Sequence, residues 1–256
     1  MHSPRIRSFS LIELMVVIGI IMLLAAMLLP VLNMARARAR SIKCTNNIKQ
    51  IIGAFMDYAG DWQGNILSAN SGSTTHGDEG WAWNYTLVHN NYLPNPKKQK
   101  VGSSVLFCPD SLRYLVPNRR NNISFSYGAI YNKSDRQCIA LNAPPIARAG
   151  HSKVTLVGDA WRTKYSPACP FYRMAIPAKP PDGDVEEWSY PALVHQERCN
   201  MGFMDGHVKA LSRRELATDY FCGSANYDTI GTLHPIGYVA TNIGINMTLI
   251  ELAPTP

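Results

Sequence analysis

Residues 11–32 read LIELMVVIGIIMLLAAMLLPVL, an apolar run with a single charge at Glu13. As an α-helix this run is roughly 33 Å long, which is enough to cross the hydrocarbon core of a bilayer. The basic leader MHSPRIRS precedes it. The run exceeds the apolar core of a secretory signal peptide, about 7–15 residues. It therefore predicts a membrane helix, although a cleaved signal peptide and a plain single-span anchor fit the same pattern loosely.

Glu13 lies near the start of this apolar run, where a charge is unfavourable. A charged residue costs about 2.5–3.5 kcal/mol at the centre of a membrane helix and less near the interface. Charged side chains inside membrane segments usually pair with another group. We therefore predict a functional role for Glu13.

The formal net charge of +7 leaves two classes of anionic partner open, nucleic acid and membrane lipid. Much of the charge comes from basic residues that flank the apolar run. These are Arg5, Arg7, Arg36, Arg38, Arg40, Lys43 and Lys49. Such flanks are typical of inserted helices, so the sequence favours membrane lipid as the partner and predicts no nucleic-acid binding.

Residues 8–13 read SFSLIE and resemble the cleavage and methylation motif of type IV prepilins and type II secretion pseudopilins. The resemblance implies that prepilin peptidase cleaves between Ser8 and Phe9 and methylates Phe9. Glu13 becomes the fifth residue of the mature chain. In a filament it is expected to neutralise the terminal amine of a neighbouring subunit, which removes two unpaired charges from an apolar bundle. Ser8 stands where the family nearly always has glycine.

The helix is predicted to continue past Pro30 as an amphipathic segment. Apolar residues recur at helical spacing: Ile48, Ile51, Ile52, Phe55, Met56 and Ala59. Proline removes a backbone donor and clashes with the preceding turn, so Pro30 predicts a kink, as in pilin-like helices, or alternatively a helix stop. Gly60 and Gly64 mark the predicted end of the helix.

Two indicators of topology disagree. The four basic residues that closely follow the span outnumber the two that precede it, which by the positive-inside rule places the C-terminal side in the cytoplasm. The prepilin resemblance places it outside. Because the motif is the more specific signal, we predict a single-pass inner-membrane protein with a periplasmic or extracellular C-terminal domain, which can be extracted into a filament.

Residues 200–211 read NMGFMDGHVKAL and predict a β-hairpin. Asp205-Gly206 between two alternating runs is typical of a type I′ turn, in which both residues have positive φ. His195 precedes Asp205 by ten positions. This H-x9-D-G spacing is similar to an element of a large pilin-like family abundant in planctomycete-type bacteria. The segments CTNNIKQ (44–50) and FCPD (107–110) also resemble that family.

Other segments predict less regular structure. Residues 64–123 are rich in Gly, Asn, Ser and Pro and are expected to form mainly loops. Strands are predicted at 105–108, 124–131 and 154–158, and a short helix at 213–220.

These features predict an α+β, pilin-like fold with a long N-terminal transmembrane and stalk helix packed on an antiparallel β-sheet domain. The expected organisation is a leader over residues 1–8, a transmembrane helix over 9–32 and an amphipathic continuation over 33–60. Residues 61–256 would form the extracytoplasmic domain that contains the H-x9-DG hairpin.

A divalent metal is the cofactor for which the sequence offers candidate ligands. His195, Asp205 and His207 are candidates, together with Asp159 after the predicted strand 154–158, because histidine with carboxylate suits zinc or another transition metal. The favoured interpretation is nevertheless that no cofactor binds. Asp205 and Gly206 then serve the turn, and His195 packs beside the hairpin.

Cysteine spacing gives a separate constraint. The six cysteines are Cys44, Cys108, Cys138, Cys169, Cys199 and Cys222. They include no C-x-x-C pair, which argues against a zinc knuckle and a thioredoxin-type motif. In an oxidising compartment some would form disulfides, in pairings that the sequence leaves open.

The sequence favours a structural role over an enzymatic one, since it has no nucleophile elbow, P-loop, HExxH or dinucleotide fingerprint. We predict a pilin-like or pseudopilin subunit of a type II secretion or type IV pilus filament. Its partners would be prepilin peptidase and other such subunits. The alternative is an exported, membrane-anchored metal-binding module or hydrolase that uses His195, Asp205 and Asp159.

Overall fold

A computed structural model gives the fold of the chain. It describes residues 10–67, 69, 82–96, 103–113, 115, 122–130, 139–142, 146–147, 150–162, 169–170, 173–174, 189–218, 221–223, 233–235, 238–241 and 248–251. The chain divides into two compact units, residues 1–39 and 40–256.

One α-helix, α1, runs from Leu11 to Asp61. It continues through Pro30, so the alternative of a helix stop there is wrong. At its C-terminal end Gly64 has a φ of +78°, and its N–H donates to the carbonyl of Ala59 at 2.8 Å. A left-handed glycine that hydrogen-bonds back to the last turn is a common helix terminator, so the end of α1 falls where the glycines predicted it.

The start of α1 carries a capping box formed by Ser10 and Glu13. The N–H of Ser10 donates to Oε2 of Glu13 at 2.9 Å, and the N–H of Ile12 donates to Oγ of Ser10 at 3.4 Å. These bonds satisfy backbone donors that the first helical turn leaves unpaired. Glu13 therefore has a local structural role in addition to the role predicted for its charge.

The two parts of α1 differ in exposure. Every residue from 10 to 36 is exposed, and residues 11–32 make α1 long and apolar enough to cross a membrane. The buried residues of α1 all lie further along: Cys44, Asn47, Ile48, Ile51, Ile52, Ala54, Phe55, Tyr58 and Ala59. This second set confirms the amphipathic pattern that the sequence predicted.

The described strands and the two shorter α-helices follow α1 in chain order. They are β1 (Asn65–Ile66), α2 (Trp83–His89), β2 (Gly128–Ile130), β3 (Ile139–Ala140), β4 (Thr155–Gly158), β5 (Ala160–Arg162), β6 (Cys169–Pro170), β7 (Arg173–Met174), β8 (Ser189–Pro191), β9 (Arg198–Phe203), β10 (Val208–Ser212), α3 (Arg213–Thr218), β11 (Phe221–Gly223), β12 (Leu233–Pro235), β13 (Tyr238–Thr241) and β14 (Thr248–Glu251). Short 3-10 turns lie at Ser111–Arg113 and Ile123–Phe125.

The central sheet has five described strands in the order β10-β9-β4-β2-β7. All neighbours pair antiparallel except β2 and β7, which are parallel. A three-stranded sheet has the order β6-β5-β8, and two-stranded pairs form between β1 and β3, β11 and β12, and β13 and β14. The predicted α+β class with a long apolar N-terminal helix and an antiparallel sheet is confirmed.

The helix packs on the sheet at a glycine. A Cβ on Gly202 of β9 would lie 2.3 Å from Cδ1 of Ile52 and 2.8 Å from Cγ2 of Ile48. Both isoleucines belong to α1 and are buried. Phe55, one turn further along α1, stacks on Trp83 with ring centroids 5.2 Å apart. Only a residue without a side chain allows this close approach of helix to strand.

The predicted strands hold in part. Residues 155–158 are a strand, and residues 128–130 confirm part of the strand expected at 124–131, whose start lies instead in the 3-10 turn Ile123–Phe125. The helix expected at 213–220 is confirmed over Arg213–Thr218. Residues 105–108 are not a strand. The N–H of Phe107 donates to the carbonyl of Ser104 at 3.4 Å, and the N–H of Leu106 donates to Oγ of Ser104 at 3.2 Å. These two N–H groups therefore form a local turn and do not pair with a neighbouring strand.

The hairpin of β9 and β10 is confirmed, but its turn differs from the predicted type. Among its residues Gly206 alone has positive φ, at +92°. The N–H of Gly206 donates to the carbonyl of Phe203, and the N–H of Phe203 donates to that of His207, each at 3.0 Å. This is a three-residue loop with glycine at the bulge position. Oδ1 of Asp205 accepts the N–H of His207 at 3.1 Å and holds the turn through its side chain.

A second capping box joins β10 to α3. The N–H and Oγ of Ser212 each donate to Oε2 of Glu215 at 2.8 Å, and Nζ of Lys209 lies 3.1 Å from Oε1. The Ser212 N–H, the Ser212 hydroxyl and Lys209 together hold the pKa of Glu215 at about 2. A carboxyl with a lowered folded-state pKa stabilises the fold above its ordinary pKa, and this contribution is lost as the pH falls towards 2.

We expect Glu215→Gln to lower the free energy of unfolding by about 0.5–1 kcal/mol at pH 7, because glutamine keeps the cap and loses the charge. The difference in the free energy of unfolding between wild type and Glu215→Gln should shrink as the pH is lowered from 5 to 2. Urea titrations of both proteins over this range provide the measurement. A deficit that grows on acidification would contradict the assigned role.

Candidate functional site

Four side chains that can bind a metal meet in the interior of the domain: Cys44, Cys108, Asp159 and His195. One ligand atom from each lies within 4.8 Å of the others. None of the four residues is more than 4% exposed. Within the part of the chain that the structure describes, this is the one such group of histidine, cysteine and acidic residues. We call it the Cys-Asp-His cluster.

The four residues come from distant parts of the chain. Cys44 lies on α1, Cys108 in the loop before the 3-10 turn Ser111–Arg113, Asp159 between β4 and β5, and His195 just before β9. Three of them belong to the segments singled out in the sequence, which are CTNNIKQ, FCPD and H-x9-DG. The fold thus brings these three segments to one place.

The loop that carries Cys108 is attached to α1 near Cys44. Nδ2 of Asn47 donates to the carbonyl of Phe107 at 3.1 Å, and both residues are buried. Asn47 lies three residues after Cys44, on the same face of the helix. This side-chain bond therefore ties the loop next to Cys108 to the helix next to Cys44.

A tight turn places His195. The N–H of His195 donates to the carbonyl of Arg198, and the N–H of Arg198 donates back, each at 3.0 Å. Between them Gln196 and Glu197 have φ values of +51° and +60°. Left-handed conformations cost roughly 1–2 kcal/mol for each residue that is not glycine. The turn with two positive φ values predicted at Asp205-Gly206 thus occurs here instead, next to the cluster histidine.

Backbone hydrogen bonds fix Asp159. Its N–H donates to the carbonyl of Asn200 at 3.0 Å, and the N–H of Asn200 donates to its Oδ2 at 2.9 Å. The N–H of Ala192 donates to its carbonyl at 2.9 Å. The carboxylate is consequently held in one orientation by strand β9.

The cluster atoms contact one another at hydrogen-bond distances. Sγ of Cys44 lies 3.5 Å from Oδ1 of Asp159, Sγ of Cys108 lies 3.3 Å from Nε2 of His195, and that nitrogen lies 3.5 Å from Oδ2 of Asp159. The hydroxyl of Tyr127 donates to Sγ of Cys44 at 3.1 Å.

Asp110 and Arg40 support the histidine from outside. Nδ1 of His195 lies 3.0 Å from Oδ2 of Asp110, and the other oxygen of Asp110 accepts Nε–H of Arg40. Because an ionised carboxylate only accepts hydrogen bonds, Nδ1 of His195 carries a proton. Nε2 of His195 is therefore the nitrogen directed at the cluster.

Burial and the neighbouring polar groups act on the pKa values of His195, Cys108 and Asp159. For His195 and Cys108 the neighbouring groups have the larger effect. Burial lowers the pKa of His195, but Asp159, Asp110 and Cys108 raise it to about 11. Burial raises the pKa of Cys108, but hydrogen bonds from Cys44 and His195 bring it well below its ordinary value. Burial and the charge of Cys108 raise the pKa of Asp159 to about 8. The contact between Cys108 and His195 thus favours the thiolate form of the cysteine and the protonated form of the histidine.

A set of cysteine, histidine and aspartate side chains can serve covalent catalysis or metal binding. Cys108, His195 and Asp110 follow the order of nucleophile, base and orienting carboxylate in covalent catalysis. A nucleophile must reach its substrate, however, and both Cys108 and His195 are buried. Buried cysteines generally have structural roles, and the same donor set of thiols, imidazole and carboxylate is that of zinc sites.

The structure divides the predicted metal ligands into two sets. His195 and Asp159 lie together in the cluster, whereas Asp205, Gly206 and His207 lie in the β9–β10 turn. In that turn, Nδ1 of His207 forms a hydrogen bond with Oδ1 of Asp205. The imidazole ring of His207 stacks on the ring of Phe203, with the two centroids 4.2 Å apart. Sequence reasoning did not identify the two cysteines of the cluster as candidate ligands.

The cysteines described by the structure are free thiols, namely Cys44, Cys108 and Cys199. Sγ of Cys199 donates to the main-chain carbonyl of Asp159 at 3.4 Å, so this buried residue neighbours the cluster without belonging to it. The side chains of Cys138, Cys169 and Cys222 lie outside the described part of the chain.

The predicted processing and assembly residues lie at the other end of the chain. Ser8 and Phe9 fall outside the described residues, while Glu13 and Pro30 lie on the exposed apolar part of α1. Residues 3–29 match the family model for the prokaryotic N-terminal methylation motif. The chain has a prepilin-type N-terminus.

The prepilin motif supports a type IV pilin-like protein that is processed by prepilin peptidase. Together with the apolar helix it is the arrangement of a membrane-anchored, exported protein. The match ends at residue 29 and does not reach the H-x9-DG segment. No curated protein and no solved structure matches the chain.

Proposed function

We propose that the chain is a pilin-like or pseudopilin subunit, cleaved between Ser8 and Phe9, methylated on Phe9, and assembled into a type II secretion or type IV pilus-type filament. Its partners are prepilin peptidase, other such subunits and inner-membrane lipid. Its role is structural rather than enzymatic. The observation that carries the proposal is the exposed apolar part of α1 directly behind a prepilin motif.

The exposure of this segment supports assembly as well as anchoring. Residues 10–36 are all exposed, and most of them are large and apolar. A contiguous apolar surface of this size has to be covered by lipid or by another protein. In a bilayer lipid covers it, and in a filament the same segments of neighbouring subunits would cover each other.

The C-terminal domain completes the proposal. We infer that residues 61–256 are the domain type that carries the H-x9-DG element in the pilin-like family of planctomycete-type bacteria. Cys44 of CTNNIKQ, Cys108 of FCPD and the histidine of the H-x9-DG element lie together in one cluster. This proximity supports the inference that the three segments belong to one domain type. In this setting the domain is extracytoplasmic.

A second candidate function is an exported, membrane-anchored metal-binding module or hydrolase. The Cys-Asp-His cluster favours its metal-binding form, because it gathers four ligand atoms at one point. The burial of Cys108 and His195 weighs against the hydrolase form. In this case the N-terminal helix is an anchor and forms no filament.

We expect the mature chain in native membranes to begin at methylated Phe9. Mass spectrometry of the N-terminal peptide measures this. A Ser8→Leu variant serves as the control, since a bulky residue next to the scissile bond should leave residues 1–8 attached without affecting insertion. An intact Met1 in the wild type, or cleavage near residues 37–39, would refute the proposal.

A further inference from the structure

We propose that the Cys-Asp-His cluster binds one zinc ion in a closed tetrahedral site, with Cys44, Cys108, Asp159 and His195 as the four ligands. All four lie in the unit of residues 40–256. The site therefore stands apart from the proposed filament role, and its test does not depend on assembly.

The donor set selects the metal. Zinc binds cysteine sulfur, histidine nitrogen and carboxylate oxygen, and structural zinc sites use four protein ligands. Thiolate ligands favour zinc over magnesium and calcium, which require oxygen ligands in larger number. Two sulfurs, one nitrogen and one carboxylate thus match zinc and leave no coordination position for a substrate.

The spacing of the ligand atoms matches a zinc tetrahedron. With zinc bond lengths of about 2.3 Å to sulfur and about 2.0–2.2 Å to nitrogen and oxygen, neighbouring ligand atoms lie about 3.3–3.8 Å apart. With Oδ2 of Asp159 as the ligand oxygen, it lies 3.5 Å from Nε2 of His195 and 3.8 Å from Sγ of Cys44, and Nε2 of His195 lies 3.3 Å from Sγ of Cys108. All four ligand atoms lie within 4.8 Å of one another. An ion can therefore enter with little movement of the side chains.

The surroundings have the form of a metal site's outer shell. Zinc-bound histidines commonly donate their second N–H to a carboxylate, which orients the ring. Nδ1 of His195 does so to Asp110, which is paired in turn with Arg40. The hydroxyl of Tyr127 and the N–H of Asn200 donate to Cys44 and Asp159. The backbone of Ser111 hydrogen-bonds to Cys108. Each of the four ligands thus has a partner outside the ligand set.

Charge also favours the ion. When the two thiols and the carboxyl ionise, three negative charges share a site that is almost fully buried. Buried charges are unfavourable unless they are paired or coordinate a metal. Zinc neutralises two of the three, and the hydrogen bonds from Tyr127 and Asn200 spread the remainder.

The first test is the metal content of the full chain, purified in detergent without chelating steps. We expect about one zinc ion per chain by elemental analysis. Replacement by cobalt should produce sulfur-to-cobalt charge-transfer absorption, which reports thiolate ligands directly. Removal of zinc by a chelator should lower the melting temperature and make Cys44 and Cys108 accessible to alkylation.

Variants with a matched control test the ligand set. Cys108→Ser should reduce bound zinc to below about a tenth of an equivalent, whereas Cys199→Ser should retain it, because Cys199 is equally buried but lies outside the ligand set. Asp110→Asn should keep the stoichiometry and weaken zinc binding about 10–100-fold.

Three outcomes would overturn the proposal. They are a wild-type protein that stays free of zinc after reduction and incubation with zinc, a disulfide between Cys44 and Cys108 in the native protein, and full zinc binding by Cys108→Ser. If that variant does not fold, the cobalt spectrum and the alkylation of the wild type decide the question. A cobalt form without thiolate absorption also counts against the site.

Discussion

Replacing Gly202 with valine is expected to detach α1 from the central sheet and to destabilise the domain by at least the upper end of the about 1–3 kcal/mol that overpacking costs. Even a methyl group at this position would lie 2.3 Å from Cδ1 of Ile52 and 2.8 Å from Cγ2 of Ile48. Isoleucine has essentially one χ1 rotamer in a helix, so Ile48 cannot turn its Cγ2 aside. The helix itself must move.

Gly53→Val provides the matched control. Gly53 lies on the same helix, and a Cβ there would meet no atom within 4 Å. Valine has a higher helix propensity than glycine, so this change should be neutral or slightly stabilising. Urea unfolding followed by tryptophan fluorescence compares the two variants. Equal stability of Gly202→Val and wild type would contradict the packing of α1 on β9.

A double substitution separates packing from other effects. Ile52→Ala alone should destabilise the domain by about 2–5 kcal/mol through the cavity it leaves. In the Gly202→Ala background, Ile52→Ala should lower the stability by less, because the methyl group of alanine at 202 fills part of the cavity. Such a coupling is expected only for side chains in contact.

The long helix could be predicted because its signals are local. The apolar run, the helical spacing from Ile48 to Ala59 and the terminal glycines each act within a few residues. Pro30 interrupts one hydrogen bond in a helix of 51 residues. The bonds on either side of it remain, which is why the helix continues.

Strands were predicted less well because a strand needs a partner. Residues 155–158 pair with β2 on one side and β9 on the other, and they were found from their composition. Residues 105–108 have a similar apolar composition, yet Ser104 captures two of their N–H groups in a turn. Strands of two residues, such as β1, β3 and β7, exist through pairing alone and have no signal of their own.

Only two of the four residues in the Cys-Asp-His cluster were predicted, because the other two meet them only through tertiary structure. His195 and Asp159 were recognised by their residue types and by a neighbouring strand, but Cys44 and Cys108 have no C-x-x-C spacing and meet only through tertiary structure. A signal was nevertheless present. Both cysteines lie in segments that share one family resemblance with the histidine element, and segments that occur together are candidates to meet in space.

Glu13→Ala is expected to leave insertion and cleavage intact but to stop co-assembly with wild-type subunits. In an apolar helix bundle the carboxylate would pair with the terminal amine of a neighbour. Removing one partner of such a buried pair costs about 3–5 kcal/mol, because the other charge is left unpaired. At about 1.4 kcal/mol for each tenfold change, the affinity between subunits falls by a factor of about 10² to about 4 × 10³.

The capping box complicates this test, because Glu13 also accepts the N–H of Ser10 at 2.9 Å. Alanine removes the cap as well as the charge. Glu13→Gln separates the two, since glutamine at this position of a capping box still accepts the backbone N–H. If the charge governs assembly, the glutamine variant must fail to the same degree as the alanine variant.

The decisive measurement is cross-linking of tagged variants to untagged wild-type subunits in native membranes. N-terminal mass spectrometry confirms in parallel that each variant has been processed to Phe9. Failure of both variants supports pairing of the carboxylate with a neighbouring amine. Normal incorporation of Glu13→Gln beside a defective Glu13→Ala would assign Glu13 to capping of its own helix, and normal incorporation of both would remove it from assembly altogether.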